Sequence, residues 1–291
     1  MSEQIELIER SKTPLSPNDL GVLVRLCVKK TWLIKKWGKI GDLWGLLNTQ
    51  TEKKLIASLL RRFTVVSATQ EKKCYSQIVK HIKDNWLGNP QRTWIVATSG
   101  DHEADGSHNI VNAIKNKFPR ILRKHQFLNS YKGLDGQLQS GDIVILCDDF
   151  IGTGSTIDNR VTKIKELMLR DNIKNIDFKV VSLAAMKFSK ELYLNNCTTD
   201  PFACLWLDKG ISERCSLQVA IKHRETMLRI ESRLSPKYYH ERLKRCSLGY
   251  RQSESLYCLG DENIPNNVFP IFWWGKLRNN ENFNPLFERV L

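Results

Sequence analysis

The chain has 291 residues, and its content of 41% hydrophobic and 9% aromatic residues excludes a wholly disordered protein. Its 45 Lys and Arg against 31 Asp and Glu give a formal net charge of +14, which favours either a polyanionic partner or plain solubility. The eight cysteines include no pair at C-x2-4-C spacing, which argues against zinc ribbons and thioredoxin-type dithiols.

The N-terminus and the hydropathy pattern predict where the protein resides. Residues 1–10 alternate acidic and apolar side chains and show no basic stretch followed by an apolar one, so no signal peptide is predicted. No apolar run approaches the roughly 20 residues that span a bilayer. We therefore expect a cytoplasmic protein with reduced thiols and no membrane partner.

Residues 1–90 are predicted to form a helical N-terminal region. The segment Ser16–Asp19 is typical of a helix start, with Pro17 at an early helical position, and apolar residues follow at helical spacing as far as Val28. A further helix is predicted to begin at Thr51, because apolar residues on one face follow a polar start.

Residues 91–291 are predicted to form an α/β core with an aromatic C-terminal extension. Here apolar segments typical of buried strands alternate with helical patterns. The predicted strands are Thr93–Thr98, Ile143–Cys147, Phe178–Ala184 and Phe202–Leu207, and the predicted helices are Asn109–Phe118, Ile157–Arg170 and 216–246. This alternation predicts a parallel sheet flanked by helices.

The segment from residue 143 to residue 156, IVILCDDFIGTGST, carries the most chemical information. Asp148 and Asp149 come at the carboxyl end of its strand, where ligands bind in open α/β sheets. Small residues then let backbone amides approach a phosphate at the start of the next helix. These residues are Gly152, Thr153, Gly154, Ser155 and Thr156. The alternative is a buried strand followed by a solvated acidic turn, whereas the P-loop and dinucleotide patterns are not matched.

This segment resembles the phosphoribosyl-diphosphate (PRPP) signature of type I phosphoribosyltransferases, which are glycosyltransferases. The resemblance implies that Asp148 and Asp149 hold the ribose 2′- and 3′-hydroxyls and that residues 152–156 wrap the 5′-phosphate. Two positions depart from the family pattern. Phe150 is larger than the usual aliphatic residue, and Gly152 stands where a small polar residue, Ala or Val is commoner. These departures weaken the expectation of catalysis more than that of the fold.

The same resemblance implies a second anion site, for diphosphate, in an earlier loop between a strand and a helix. The matching residues are Thr98, Ser99, Gly100 and Asp101, for which an ordinary polar loop is the alternative reading. Lys124, Lys132 or the turn around Gly133 could supply the basic hood loop that recurs in the family. No dedicated metal cage is predicted, and Mg²⁺ would be held mainly by the diphosphate, with at most one or two carboxylates.

The C-terminal extension is similar to that of phosphoribosyltransferase-like proteins of bacterial conflict systems. The similarity rests on PNNVFPIFWW at 265–274 and NPLFER at 284–289. Some members accompany retron reverse transcriptases in antiphage defence. The resemblance implies an effector that partner proteins restrain until infection. The residues themselves leave two alternatives, because Phe272, Trp273 and Trp274 either stack on a base or plug the core.

The expected function is a defence effector that binds a ribose 5-phosphate ligand of the PRPP type with Mg²⁺ and acts on nucleotides or on nucleic acid such as retron DNA, retron RNA or tRNA. Displacement at ribose C1′ and cleavage of a nucleotide are the two enzymatic versions. The alternative is a non-catalytic module that binds a nucleotide or nucleic acid. The basic, aromatic segment Lys237–Arg245 is either a nucleic-acid surface or a solvated amphipathic helix.

Overall fold

The computed structural model describes residues 15–86, 89–98, 106–120, 126–193, 201–260 and 264–289. The first of these segments is largely helical, with α1 (Pro17–Lys29), a 3-10 helix (Thr31–Lys36), α2 (Trp37–Gly45), α3 (Gln50–Arg62) and α4 (Ala68–Asn85). The predicted helix start is confirmed, because the Ser16 side chain accepts a hydrogen bond from the Asp19 amide. No helix in the described ranges is long and apolar enough to cross a bilayer.

The core is a five-stranded parallel sheet in the order β3-β2-β4-β5-β6, so the predicted α/β class is confirmed. The strands are β2 (Thr93–Ala97), β3 (Phe127–Leu128), β4 (Ile143–Ile151), β5 (Asp177–Met186) and β6 (Phe202–Leu207). The flanking helices α5 (Gly106–Lys115), α6 (Ser155–Arg170) and α7 (Lys190–Tyr193) follow β2, β4 and β5.

The strand order reverses between β2 and β4. The chain leaves β2 toward β3 on one side of the sheet and leaves β4 toward β5 on the other. In open α/β sheets, such a switch point opens a crevice at the carboxyl ends of the two strands. β4 is the central strand, and four of its residues from Val144 to Cys147 are 0% exposed because helices cover both faces.

Each face of the sheet has its own apolar cluster. On one face, Ile145 of β4 packs in a cluster with Ile78 of α4 and Ile110 of α5. On the other face, Leu146 shares a cluster with Ile157 of α6. The first turn of α6 is therefore packed against the sheet. This packing places the loop between β4 and α6 at the crevice.

A third cluster joins the N-terminal helices to the C-terminal extension. Phe63, at the end of α3, stacks on Phe287 with ring centroids 4.9 Å apart and meets Phe272 edge-on at 5.5 Å. β1 (Thr64–Val66) also pairs in parallel with β9 (Tyr257–Leu259). The extension is thus built into the same core as the N-terminal helices.

The prediction that aromatic residues of the extension form a base-stacking surface is wrong. Phe272, Trp273 and Trp274 are all 0% exposed, so no ring face is available to a base. The Trp273 indole N–H donates to the Val268 carbonyl at 2.9 Å, which satisfies its polar atom inside the core. The core-packing alternative therefore describes these residues, and burial of large rings is what makes them stabilising.

The helix predicted for residues 216–246 is shorter than expected. α8 (Leu217–Glu231) ends before Pro236, which disfavours helical backbone in the residue that precedes it. The chain then forms a hairpin of β7 (Lys237–Tyr238) and β8 (Glu241–Arg242) and a short helix α9 (Leu243–Cys246). The alternative of an amphipathic helix over Lys237–Arg245 is therefore wrong as well.

Candidate functional site

The two adjacent acids lie within β4, near its carboxyl end, and not after the strand. β4 continues to Ile151, and Asp148 pairs with Ser182 of β5. Cys147 and Phe150 contact the same apolar cluster although three positions separate them, so the alternation of side-chain faces breaks at the acids. Local breaks of this kind re-aim side chains and are common next to functional sites.

The environments of the two acids differ. Asp148 is 6% exposed, and its Oδ1 accepts a hydrogen bond from the Phe150 amide at 3.4 Å, whereas Asp149 is partly exposed. Phe150 stacks on Tyr257 of β9, with centroids 4.8 Å apart and planes at 13°. The bulky residue at this position is thus explained by an aromatic partner from the C-terminal part of the chain.

Tyr257 brings a neutral hydroxyl close to the acids. Its ring is 0% exposed, and its hydroxyl has no hydrogen-bond partner among the described residues. Burial and then the charge of Asp149 raise the pKa of Tyr257 well above its usual range. The phenol therefore stays protonated and adds no charge beside Asp149.

The loop after β4 opens α6 in a form suited to an anion. Gly154 has φ +78°, a left-handed conformation that glycine adopts without strain, and it occupies the N-cap position. No side chain caps the first turn of the helix, and the hydroxyls of Thr153 and Ser155 lie 3.0 Å apart beside it. Uncapped amides at the start of a 16-residue helix, with hydroxyls nearby, favour a phosphate group.

Asn267 of the C-terminal extension forms one wall of this loop. A Cβ atom at Gly152 would lie 2.3 Å from three atoms of the Asn267 side chain, so any larger residue there would require Asn267 or the loop to move. The side-chain amide of Asn267 donates to Ser253 Oγ at 3.2 Å. Ser253 Oγ in turn donates to the backbone carbonyl of Asn267 at 2.8 Å. The sequence shows that Gly152 departs from the family pattern, but it does not reveal the contact with Asn267 that explains this residue.

The proposed diphosphate loop is only partly described. Thr98 directly follows β2, is fully buried, and donates from its amide and its hydroxyl to the Cys147 carbonyl at 3.1 and 3.3 Å. Arg160 of α6 donates to the Thr98 carbonyl. Ser99, Gly100 and Asp101 lie outside the described residues, so their role as a diphosphate site stays a prediction.

Of the residues predicted to supply the basic hood loop, only some are described. Lys124 lies outside the described part of the chain. Lys132 and Gly133 belong to a 3-10 helix (Tyr131–Leu134) that follows β3. The Arg160 guanidinium lies 5.4 Å from the centre of the Tyr131 ring, which ties this segment to α6.

The donor set at the crevice fits a diphosphate-bound Mg²⁺. Within the described ranges no group of three or more His, Cys, Asp or Glu could hold a metal ion. Asp148 and Asp149 still offer the carboxylate oxygens that Mg²⁺ prefers. Two carboxylates suit a cation that takes its remaining ligands from the diphosphate and water.

The segment from 248 to 254 supports Asn267 and is conformationally strained. Leu248, Arg251, Gln252 and Glu254 all have φ between +51° and +57°, a region that non-glycine residues rarely adopt. Buried glutamates hold both of its ends. Glu231 accepts from the Leu248 amide at 3.2 Å, and Glu254 accepts from Ile211 and Ser212 amides at 2.8 and 2.7 Å.

Replacing Glu231 by Gln is expected to change how stability depends on pH. Burial raises the pKa of Glu231 to about 8, although Ser247 and Leu248 donate hydrogen bonds to it. The folded protein therefore keeps a proton that the unfolded chain has released, and stability falls as pH rises from about 4.5 to 8. The limiting slope is about 1.4 kcal/mol per pH unit.

Urea unfolding at pH 5, 6.5 and 8 measures this effect. Glu231→Gln should flatten the decline because an amide does not titrate, and its oxygen can still accept from the Leu248 amide. The exposed Glu166→Gln is the matched control and should keep the slope of the wild-type protein. Parallel curves for wild type and Glu231→Gln would contradict the assignment of the proton to Glu231.

Comparison with known proteins places this geometry in a family. A family model described as PRTase-CE matches residues 47–289. The chain belongs to the PRTase-CE family. Membership confirms the phosphoribosyltransferase-like fold expected from the 143–156 segment. The first two helices of this PRTase-CE protein, α1 and α2, precede the matched part and pack on the C-terminal extension.

Solved structures show more distant likenesses. Purine phosphoribosyltransferase from Pyrococcus horikoshii Ot3 is 12% identical, with TM-score 0.29, over 50% of this chain and 87% of that one. UMP synthase of Leishmania donovani is 18% identical, with TM-score 0.30, over 54% and 32%. APRTase from Giardia lamblia, complexed with 9-deazaadenine, is 18% identical, with TM-score 0.29, over 49% and 82%. At such values the likenesses carry no information on activity, and no curated protein matches the chain.

Proposed function

We propose that this PRTase-CE protein binds a ribose 5-phosphate ligand, PRPP or a nucleotide, in the crevice at the carboxyl end of β4. The observation that carries the proposal is the succession of two carboxylates and an uncapped helix start opened by a left-handed Gly154. Carboxylates accept hydrogen bonds from sugar hydroxyls, and amides at a helix start donate to phosphate. The hydroxyls and the phosphate of a ribose phosphate therefore meet complementary partners at the end of β4 and in the loop that follows it.

Each residue has a defined task in the proposed reaction. Asp148 and Asp149 accept from the ribose hydroxyls and fix the sugar, while the amides of 153–156 hold the 5′-phosphate. When C1′ loses diphosphate, positive charge develops on the ring, and a carboxylate in a water-poor position stabilises it. Mg²⁺, when bound to the diphosphate, would neutralise charge on the leaving group. The protein thus contributes positioning and electrostatics.

The departures from the family pattern do not speak against catalysis. Gly152 packs directly against Asn267, and Phe150 is paired with Tyr257. Both changes are adjustments to the C-terminal extension and leave the two acids in place. If ligand binds but no diphosphate is released with any acceptor, the non-catalytic binding module is the correct alternative.

The wider role that we propose is that of a cytoplasmic effector in an antiphage defence system of the retron type. The support is the similarity of the extension to proteins of conflict systems, together with the net charge of +14, which suits a nucleic-acid partner. Expression in cells with and without the neighbouring genes, followed by phage challenge, tests this role. Protection that survives deletion of this chain would refute it.

Calorimetry with PRPP and Mg²⁺ tests the ligand. The double variant Asp148→Asn, Asp149→Asn is expected to bind at least ten-fold more weakly, a loss of about 1.4 kcal/mol or more, because amides replace the carboxylate acceptors. Glu166→Gln removes an exposed carboxylate of α6 and should bind as the wild-type protein does. Equal affinity of the double variant and wild type would refute the proposed ribose site.

A further inference from the structure

A basic and aromatic strip runs from the β7–β8 hairpin toward residues 152–156, the loop between β4 and α6, which we call the phosphate loop. We define it as Tyr239, Arg242, Lys244, Arg245, Tyr250 and Arg251. All of these residues are exposed except Tyr250, which is partly buried. The only carboxylate within the hairpin is Glu241, which contacts Cys246 at 3.5 Å and Arg289 at 4.0 Å. Its charge also acts on Arg245, so one negative charge stands against the four cations of the strip.

The hairpin presents a fixed aromatic ring at its turn. Tyr239 is 64% exposed and has φ +49°, a strained conformation for a bulky residue. Its ring meets Tyr238 edge-on with centroids 4.7 Å apart, and Tyr238 packs on the buried Trp274 at 5.6 Å. A large exposed ring supported by a partly buried tyrosine and a buried tryptophan offers a surface on which a base can stack.

Two guanidinium groups flank the second ring of the strip. Arg245 and Arg251 lie 5.2 and 5.6 Å from the centre of the Tyr250 ring. The hydrogen bond from Arg245 lowers the pKa of Tyr250, and the charge of Arg251 lowers it further. This direction indicates a positive potential at the ring. Mutual stacking orders the two cations, so less side-chain freedom is lost when an anion binds.

The strip is linked to the ribose-phosphate site through Asn266 and Asn267. The Tyr250 amide donates to the Asn266 carbonyl at 2.9 Å. The next residue, Asn267, packs its side chain directly on Gly152 of the phosphate loop. A chain lying along the strip would therefore arrive at the crevice that contains Asp148 and Asp149.

The backbone that carries the strip is over-determined. The left-handed residues of 248–254 include Arg251, and they persist because Glu231 and Glu254, both nearly inaccessible, fix the ends of the segment. Strain of this kind concentrates at functional sites and is maintained by the surrounding structure. A surface that served only solubility would not need it.

We propose that the strip binds single-stranded nucleic acid and leads one end of the strand to the ribose-phosphate site. This inference rests on the proposed function, because it names the second ligand of the same crevice. Alternation of aromatic rings with cations matches a single strand, in which unpaired bases stack and phosphates pair with Arg and Lys. A duplex offers phosphates but hides its base faces, and a mononucleotide reaches only one ring.

Fluorescence anisotropy with a labelled 20-nucleotide single strand tests the proposal. The double variant Arg245→Gln, Arg251→Gln should bind at least ten-fold more weakly, and the salt dependence should lose about 1.4 from its slope, at about 0.7 per phosphate contact. Tyr239→Ala should weaken binding several-fold at unchanged salt slope. Lys72→Gln, Lys73→Gln removes the same charge from the exposed face of α4 and should leave affinity within two-fold.

Several results would refute the proposal that the strip binds single-stranded nucleic acid. They are equal losses in the α4 control and the strip variant, equal affinity for a duplex or a mononucleotide, and no binding at low ionic strength. The two proposals fail separately. The strip variant should bind PRPP and Mg²⁺ in calorimetry as the wild-type protein does. The Asp148→Asn, Asp149→Asn variant should still bind the single strand.

Discussion

Replacing Glu254 by Ala should lower the free energy of unfolding by about 3–5 kcal/mol. The side chain is 0% exposed and accepts from the amides of Ile211 and Ser212. It also pairs with Arg224 at 2.9 Å. Its removal leaves a buried amide, a partly buried amide and a partly buried guanidinium without their partner, each of which is costly. Urea unfolding monitored by circular dichroism measures the loss.

Two further variants separate charge from hydrogen bonding. Glu254→Gln keeps an acceptor for the amides and loses only the ion pair, so its loss should be smaller than that of Glu254→Ala. Glu166→Gln, which breaks an exposed pair on α6, should change stability by less than about 0.5 kcal/mol. A loss below about 1 kcal/mol for Glu254→Ala would show that this carboxylate does not anchor the strained segment.

Gly152→Ala is expected to destabilise the protein by about 1–3 kcal/mol and to weaken PRPP binding at least ten-fold. The added methyl group would meet the Asn267 side chain at 2.3 Å, which is closer than atoms can approach. Either the phosphate loop or Asn267 must move. Calorimetry and urea unfolding on the same preparation measure both effects.

A second substitution shows whether the clash is the cause. The double variant Gly152→Ala, Asn267→Ala removes the obstructing side chain and should recover most of the stability that Gly152→Ala loses. Gly41→Ala, in α2, has no atom within 4 Å of the new methyl group and should stabilise the chain by about 0.5–1 kcal/mol. Additive losses in the double variant would contradict the contact between Gly152 and Asn267.

The sequence predicted the elements whose signals are local. The apolar run at 143–147 marks a strand buried on both faces, and the Ser-Pro-Asn-Asp start of α1 is a helix cap that the structure confirms. The parallel order of strands follows from their alternation with helices. Such features depend on residues that are close in sequence, so a single sequence is enough to predict them.

The parts that the sequence missed depend on contacts between distant segments. Gly152 and Asn267 each have an ordinary local explanation, and only the fold brings them together. The aromatic run at 272–274 fits a stacking surface as well as a core, and its burial is decided by packing against Phe63 and α1–α3. The hairpin at 237–242 was hidden because basic and aromatic residues suit helix and strand alike.

A crystal structure of the protein with ribose 5-phosphate and Mg²⁺ tests the central claim most directly. We expect the phosphate to lie within hydrogen-bond distance of the amides of 153–156 and the ribose hydroxyls to bind Asp148 and Asp149. A sugar phosphate seated elsewhere in the molecule, or a crevice that stays empty at millimolar ligand, would contradict it.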